Sequence, residues 1–284
     1  AGIDDILGRD VIAVSDGNGM QATTVTLDTT APTVASTKLD LTADTFTVVF
    51  DEPVVEASFK PSVITLQAVA AKASDTETRT LTSTAVDVST DKTTYVLTLV
   101  KADLEAIKLA STLAVVDPSD STKKTTFLVF TDALVTDFNT QKPVAVTDDS
   151  GAPVTTLVAD GTDPNLLAFT LNMNAGTLAL SFDDPIRANT VVATAFTLQD
   201  AGTASASVSI GSGSTISTSD GLVITITLSA ADLNEIKRKA LATSASDSYL
   251  VYTAGAAKDM AANTVVPRAD GSALVCANSE YTAD

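Results

Sequence analysis

The chain has 284 residues, of which 17 are basic and 35 acidic, so its net charge is −18. Because it has no histidine and one cysteine, it offers no Ser-His-Asp or Cys-His catalytic group, no histidine-ligated metal site and no intrachain disulfide. The negative charge argues against nucleic acid and anionic membrane surfaces as partners, and no apolar run approaches the ~18 residues of a membrane span.

The composition favours strands over helices. Of the acidic residues, 29 are Asp and 6 are Glu, and Asp is more typical of turns than of helix interiors. Thr and Val, which favour strands, fill much of the remainder. Hydrophobic residues make up 45% of the chain, which is enough for real cores. We therefore expect an acidic, extracellular all-β protein of about two domains.

Residues 1–28 predict a β-hairpin. The apolar runs VIAV (11–14) and TTVTL (23–27) flank the turn SDGNG (15–19), and Asp-Gly between apolar runs is a hairpin signal. The run VAVTDDSG (144–151) has the same pattern. We interpret residues 1–28 as the C-terminal hairpin of a preceding repeat, since they are too few to bury a core. They are expected to complete a sandwich supplied by another chain or by sequence outside this one. The alternative is that they pack as a loose arm on repeat one.

An internal repeat organises the rest of the chain. Residues 28–67 match residues 160–199 at a constant offset of 132, with 12 identities in 40 positions. The identities fall in FD-x-P and TLQ blocks, so that Phe50 corresponds to Phe182. Such self-similarity at a fixed period is the signature of a repeat architecture.

Later blocks extend the repeat and predict its secondary structure. KADLEAIK (101–108) and FLVFT (127–131) recur as AADLNEIK (230–237) and YLVYT (249–253). Apolar and polar residues alternate in runs that predict strands, at 45–50, 95–99, 177–182 and 222–228. The ADLxxIK block predicts one short helix per repeat, with an acid in its first turn and a lysine in its last. Repeat one is therefore residues 29–160 and repeat two residues 161–284, and we expect the chain to be a segment of a longer tandem array.

Several short motifs resemble tandem bacterial-type Ig-like domains, which build large cell-surface adhesins and extracellular filaments. They are the linker DTTAPT (28–33), the strand end FDEPV (50–54) and the late motif DMAAN (259–263). Repeat two keeps the frame at 160–165 and 182–186, although its linker reads DGTDPN. The resemblance implies an Ig-like β-sandwich for each repeat, a cell-surface location, and Ca²⁺ bound at the junctions between domains.

Acidic residues concentrate at the predicted junctions, before each linker proline and after two of the strands. The predicted ligands are Asp5, Asp28, Asp51, Glu52, Asp137, Asp160, Asp183 and Asp184, and Asp259 follows the YLVYT strand of repeat two at the place that Asp137 has in repeat one. If the strand ends and the linker meet at one pole of the sandwich, these carboxylates converge, and Ca²⁺, with its 6–8 oxygen ligands, would relieve their repulsion. The alternative is that these residues cap turns and keep the surface soluble.

No enzyme is expected. Asp51 and Glu52 are adjacent on a strand and point to opposite faces, so they do not form a glycosidase pair. We expect a non-enzymatic structural segment of an extracellular surface array, such as a filament, a surface layer or an adhesin stalk. Its partners would be neighbouring repeats and further copies of the same protein. A glycan- or protein-binding adhesion module is the alternative, with its site on loops at one pole, although the chain has no Trp and only four Tyr.

Overall fold

The structure, a computed structural model, describes residues 6–115 and 125–284. Asp5, one of the predicted calcium ligands, lies outside the described residues. The chain divides into two compact units, residues 1–30 and residues 31–284. Every helix and every named strand of the described residues belongs to the second unit.

Residues 6–30 are an exposed segment with little regular structure. The predicted turn is present, since the Asn18 N–H donates to the Ser15 carbonyl at 3.0 Å. Within the described residues the flanking runs do not form strands. Their large apolar side chains are exposed, namely Ile6, Leu7, Val11, Ile12, Val14, Met20, Val25 and Leu27. A two-stranded ribbon is marginal by itself in water, which explains why the hairpin is present only as its turn.

Repeat one, as far as it is described, contains nine strands and one α-helix. The strands are β1 Val34–Asp40, β2 Thr45–Phe50, β3 Ile64–Gln67, β4 Thr78–Thr80, β5 Val86–Val88, β6 Thr94–Thr98, β7 Phe127–Phe130, β8 Ala152–Pro153 and β9 Thr156–Val158. The helix α1 is Lys101–Leu109 and lies between β6 and β7.

Repeat two contains the same set of elements. Its strands are β10 Leu166–Asn172, β11 Thr177–Ile186, β12 Phe196–Gln199, β13 Ser207–Ser209, β14 Thr215–Ile216, β15 Gly221–Thr227, β16 Tyr249–Tyr252, β17 Leu274–Val275 and β18 Tyr281–Thr282. The helix α2 is Ala230–Arg238 and lies between β15 and β16.

The two repeats share one topology. The five-stranded sheets have the orders β5-β6-β2-β1-β9 and β14-β15-β11-β10-β18, and the four-stranded sheets have the orders β4-β3-β7-β8 and β13-β12-β16-β17. In each five-stranded sheet the last strand pairs in parallel with the first strand of its repeat. Described residues thus form four sheets and two helices, which confirms the all-β prediction. The assignment to the Ig-like type stays a prediction.

Each repeat has its own hydrophobic core, to which both of its sheets contribute. Phe50 pairs with Val34 and Phe182 pairs with Leu166, and both phenylalanines are buried. The repeat therefore places the two aromatic rings at equivalent core positions. In repeat one the Phe50 ring meets the buried Tyr95 ring edge to face, with centroids 5.6 Å apart, a geometry that aromatic pairs favour.

The helices confirm the predictions for 101–108 and 230–237. Ile107 and Ile236 bury one face of each helix in the core, as the apolar spacing predicts. The first-turn acids, Asp103 and Asp232, are also buried and accept hydrogen bonds from the loops that follow β4 and β13, for example from Ser83 Oγ at 2.6 Å and Ser214 Oγ at 2.6 Å. Neither helix, and no other in the described chain, is long and apolar enough to cross a membrane.

Candidate functional site

The linker between the repeats is fastened to repeat one. Thr42, in the turn between β1 and β2, donates from Oγ1 to the Ala159 carbonyl at 2.8 Å and accepts from the Gly161 N–H at 2.9 Å. Asp160 stands between these two anchored residues and is buried. Its Oδ1 accepts from the Thr162 N–H at 3.1 Å, as expected of an Asp that initiates a turn. The anchored backbone fixes where the Asp160 carboxylate lies.

Lys108 joins the two repeats at this point. The residue lies in the last turn of α1, and its Nζ is 2.8 Å from Asp160 Oδ2 and 2.8 Å from Asp184 Oδ1. Its side chain is 9% exposed. Because Asp184 belongs to β11, one ammonium group from repeat one neutralises a linker carboxylate and a repeat-two carboxylate together. Partly buried, hydrogen-bonded ion pairs of this kind are shielded from salt more than surface pairs are.

Asp259 adds a third carboxylate to the group. Asp160, Asp184 and Asp259 each offer an oxygen within 4.8 Å of the other two. Asn263 holds Asp259 in place: its backbone N–H donates to Asp259 Oδ1 and its Nδ2 donates to Asp259 Oδ2, each at 2.7 Å. The same Nδ2 also donates to the Asp160 carbonyl at 3.1 Å. We name Lys108, Asp160, Asp184 and Asp259 the junction cluster.

Burial and mutual charge interactions shift the pKa values of three groups in the junction cluster. Burial raises the pKa of Asp184 to about 7, with the Asp160 charge acting in the same direction and Lys108 opposing it. Burial also raises the pKa of Asp259. For Lys108, burial lowers the pKa, but its contacts with Asp160 and Asp184 outweigh burial and raise it. Near neutral pH the cluster therefore holds a charged lysine and a carboxyl that is poised to gain or lose a proton.

The predicted ligands Asp51 and Asp183 serve as turn acceptors. Asp51 accepts from the Thr33 N–H and Oγ1, each at 2.7 Å, and Asp183 accepts from the Asn165 N–H at 2.7 Å and Nδ2 at 2.9 Å. The hydrogen bonds from Thr33 lower the pKa of Asp51. Asp183 is outside the junction cluster because it points away from its neighbour in sequence.

The other predicted ligands belong to the opposite end of repeat one or to the first unit. Asp28 accepts from the Thr30 N–H at 2.9 Å within the first unit. Asp137 is buried, is bridged to Val54, and accepts from the Gln141 N–H at 2.7 Å. Glu52 is half-buried on the loop that precedes Val54. Of the predicted residues, the structure therefore brings Asp160 and Asp184 together at the junction, where Asp259 completes the group in place of Asp137 or Asp183. It also brings the predicted ligands Glu52 and Asp137 within 4.8 Å of each other in repeat one.

Lys108 is the member of the cluster that the sequence did not single out as a site residue, whereas Asp259 was among the acids expected to converge at a junction without being named as a ligand. The helix pattern assigns Lys108 only a favourable place in the last turn. A signal was nevertheless present, because Lys108 recurs as Lys237 and Asp160 recurs as Asp284. The repeated pair is also formed in the structure, with Lys237 Nζ 2.8 Å from Asp284 Oδ2.

No family model and no curated protein matches the chain. Among solved structures it is similar to the S-layer protein rSbsC(31-844), at 17% identity and a TM-score of 0.27 over 50% of this chain and 15% of that chain. It is similar to the N-terminal part of the bacterial S-layer protein SbsC at 15% identity and a TM-score of 0.29, over 72% of this chain and 42% of that one. For native E. coli alpha-2-macroglobulin the identity is 12% and the TM-score 0.27, over 88% of this chain and 12% of that one. The chain thus spans less than half the length of each, and similarities at this level carry no argument about function.

Proposed function

We propose that this chain is a non-enzymatic structural segment of an extracellular surface array, such as a filament, a surface layer or an adhesin stalk. The observation that carries the proposal is Lys108, which binds a carboxylate of the linker and a carboxylate of repeat two together. An array transmits its shape only if successive units hold a fixed orientation. A linker tied at Thr42 and an ion pair across the junction supply that restraint.

The proposal includes the repeat boundaries. Residues 29–160 and 161–284 are taken as two Ig-like repeats, and residues 1–28 as the final hairpin of a preceding repeat. The shared strand order and the equivalent positions of Phe50 and Phe182 support the first part. The eight large apolar side chains exposed between residues 6 and 27 support the second, since such exposure is typical of a surface that pairs with another.

The glycan-binding alternative finds little support in the aromatic residues. Of the four tyrosines, Tyr95 and Tyr252 are buried in the two cores, and Tyr249 and Tyr281 are half-buried. A sugar-binding platform needs exposed aromatic faces. We therefore place the function in self-association at the cell surface, with neighbouring repeats and further copies of the chain as partners.

Electron microscopy and light scattering test this function, on the same samples of the purified full-length chain over a range of concentrations. We expect association that grows with concentration and particles that lengthen in one or two dimensions. A chain that stays monomeric throughout the concentration range would contradict the proposal. Binding to a glycan panel in the absence of self-association would favour the adhesion module.

Calcium at the junction is a second part of the proposal. The junction cluster supplies three carboxylates within 4.8 Å of one another, and carboxylate oxygens are the ligands that Ca²⁺ takes. Lys108, however, contacts two of them and competes with any bound cation. We therefore expect weak calcium binding in the wild type and tighter binding in Lys108→Met.

Isothermal titration with calcium and thermal unfolding with calcium or chelator measure both variants. Lys142→Met is the matched control, because Lys142 is exposed and pairs with Asp132 away from the cluster. If neither the wild type nor Lys108→Met gives a binding heat, and calcium changes the melting temperature of neither protein, the junction cluster does not bind calcium.

A further inference from the structure

Repeat two carries a polar pair of side chains where repeat one carries an apolar pair. Phe130 is bridged to Val146 at the end of β7, and Tyr252 is bridged to Arg268 at the end of β16. Each bridge is made by two backbone hydrogen bonds of 2.9 to 3.1 Å. In repeat one both side chains belong to the core or pack against it. Since the backbone pairing is the same in both repeats, it does not require an arginine at position 268.

Arg268 lines a surface pocket of about 380 Å³ between β12, β16 and residues 267–269. Alanines form much of the wall, and Thr197, Thr253 and Arg268 supply polar groups. Thr253 is exposed and Arg268 is half-buried. We name this site the arginine pocket. A concave, largely apolar site with a few polar groups is typical of a place where a ligand or a partner side chain binds.

The Arg268 guanidinium lacks a carboxylate partner. Among residues 6–115 and 125–284 it forms no ion pair. Its polar neighbour is the Tyr252 hydroxyl: burial raises the pKa of Tyr252, and the adjacent Arg268 acts in the opposite direction. Asp183, whose charge also acts on this hydroxyl, already accepts from the Asn165 N–H and Nδ2 at 2.7 and 2.9 Å. Because a guanidinium has five N–H donors, one hydroxyl does not satisfy it.

The chain itself supplies the complementary group in excess. A carboxylate can accept two parallel N–H bonds from the arginine fork, which makes it the matching acceptor. The chain has 35 acidic and 17 basic residues, so its basic residues cannot pair one to one with even half of its carboxylates. Every copy therefore presents carboxylates that have no basic partner. This charge complementarity favours a second copy of the chain as the partner of the arginine pocket.

We propose that the arginine pocket of one copy receives an acidic side chain of a second copy, with its carboxylate bound by Arg268 beside the Thr253 hydroxyl. Arginine in a pocket that a partner closes off from water is a frequent hot spot of protein interfaces. The inference rests on the proposed self-association and specifies one of its contacts.

Substitution of Arg268 in the full-length chain tests the contact, with association measured by sedimentation. We expect Arg268→Met to weaken association by about tenfold or more, because it leaves the partner's carboxylate in the pocket without a cation. Arg268→Lys keeps the charge but loses the two-pronged geometry, so its association is expected to be intermediate. Lys142→Met is the matched control, since it removes one positive charge from an exposed side chain that pairs with Asp132. Circular dichroism and melting temperature establish that every variant is folded.

Carbodiimide cross-linking of Arg268→Lys identifies the partner residue. The reagent joins an amine directly to a carboxylate that touches it, so it links position 268 to the acid that occupies the pocket. A mixture of isotope-labelled and unlabelled copies distinguishes links between chains from links within one chain. We expect a mixed-label peptide pair that contains position 268 and an acidic residue. Links confined to Asp183 of the same chain would overturn the proposal.

The outcomes separate this inference from the function on which it rests. Absence of wild-type association would contradict the proposed function itself. Wild-type association that Arg268→Met leaves unchanged, or that Lys142→Met weakens equally, would overturn the contact at the arginine pocket alone. Titration of the wild type with N-acetylglutamate provides a further comparison. Binding that Arg268→Met abolishes, combined with association that the same substitution leaves unchanged, would assign the pocket to a separate acidic ligand and would overturn the contact between copies.

Discussion

Asp184→Asn is expected to stabilise the protein at pH 8 and to flatten its stability between pH 5 and pH 8. In the folded state, burial and the neighbouring Asp160 charge raise the pKa of Asp184 from 3.8 to about 7. Between these two values the folded state holds a proton that the unfolded chain has lost. The contribution of Asp184 to the free energy of unfolding is therefore highest below pH 4 and is lost as the pH rises through 7.

The size of the effect follows from the shift. The rise of the Asp184 pKa from 3.8 to about 7, at ~1.4 kcal/mol per pKa unit, corresponds to about 4 kcal/mol, and partial solvent screening reduces this to about 2–4 kcal/mol. An asparagine at this position does not ionise, and its amide oxygen still accepts from Lys108. The variant therefore keeps one contact and loses the repulsion.

Urea unfolding at pH 5, 6, 7 and 8 measures the effect in the wild type and in Asp184→Asn. Asp132→Asn is the control for loss of one negative charge, since Asp132 is exposed and pairs with Lys142. We expect the difference in stability between Asp184→Asn and the wild type to grow with pH, whereas Asp132→Asn stays parallel to the wild type. Parallel curves for all three proteins would refute a raised pKa at Asp184 and with it the electrostatic account of the junction.

Four further substitutions test the fold. Asp103→Ala removes a fully buried carboxylate that β4 and the loop after it surround with donors, and a loss of about 3–5 kcal/mol in urea unfolding is expected. Gly176→Ala should cost about 1–2 kcal/mol in the same assay, because φ is +67° there and the added Cβ would lie 2.8 Å from a Leu233 methyl carbon; a neutral result would mean that this side chain moves aside freely. Phe50→Ala and Phe182→Ala should each destabilise their own repeat by about 3–5 kcal/mol, and a melting curve unchanged by either would contradict the equivalence of the two cores.

The sequence predicted the elements whose signal is local or repeated. FLVFT and YLVYT form β7 and β16, because alternating apolar and polar residues suit a strand. ADLxxIK forms α1 and α2, because apolar residues three positions apart lie on one face of a helix. The shared offset predicted one topology for both repeats, which the strand orders show. The runs at 11–14 and 23–27 have the same alternation yet form no strand in the described chain, since a strand also needs a neighbour to pair with.

The junction was predictable only in part. The linker aspartate and the FD-x-P loop pointed to Asp160 and Asp184, because both flank the boundary in sequence. Lys108 and Asp259 are distant in sequence and arrive there through the end of α1 and a bridge to Ile186. Which acid meets which partner depends on the orientation of one sandwich on the next, and no local pattern encodes that orientation. The repeated lysine–aspartate pair indicates only that the end of each helix lies beside the last aspartate of its own repeat.

The parallel pairing of β9 with β1 has a mechanical consequence. Tension along the chain pulls the start of β1 and the end of β9 in opposite directions. Because the two strands are parallel neighbours, with Lys38 to Asp40 beside Thr156 to Val158, the load falls on their hydrogen bonds in shear rather than peeling them open one at a time. The same holds for β10 and β18 in repeat two. In each sandwich the first and last strands are therefore held by hydrogen bonds that must break together before the chain can extend.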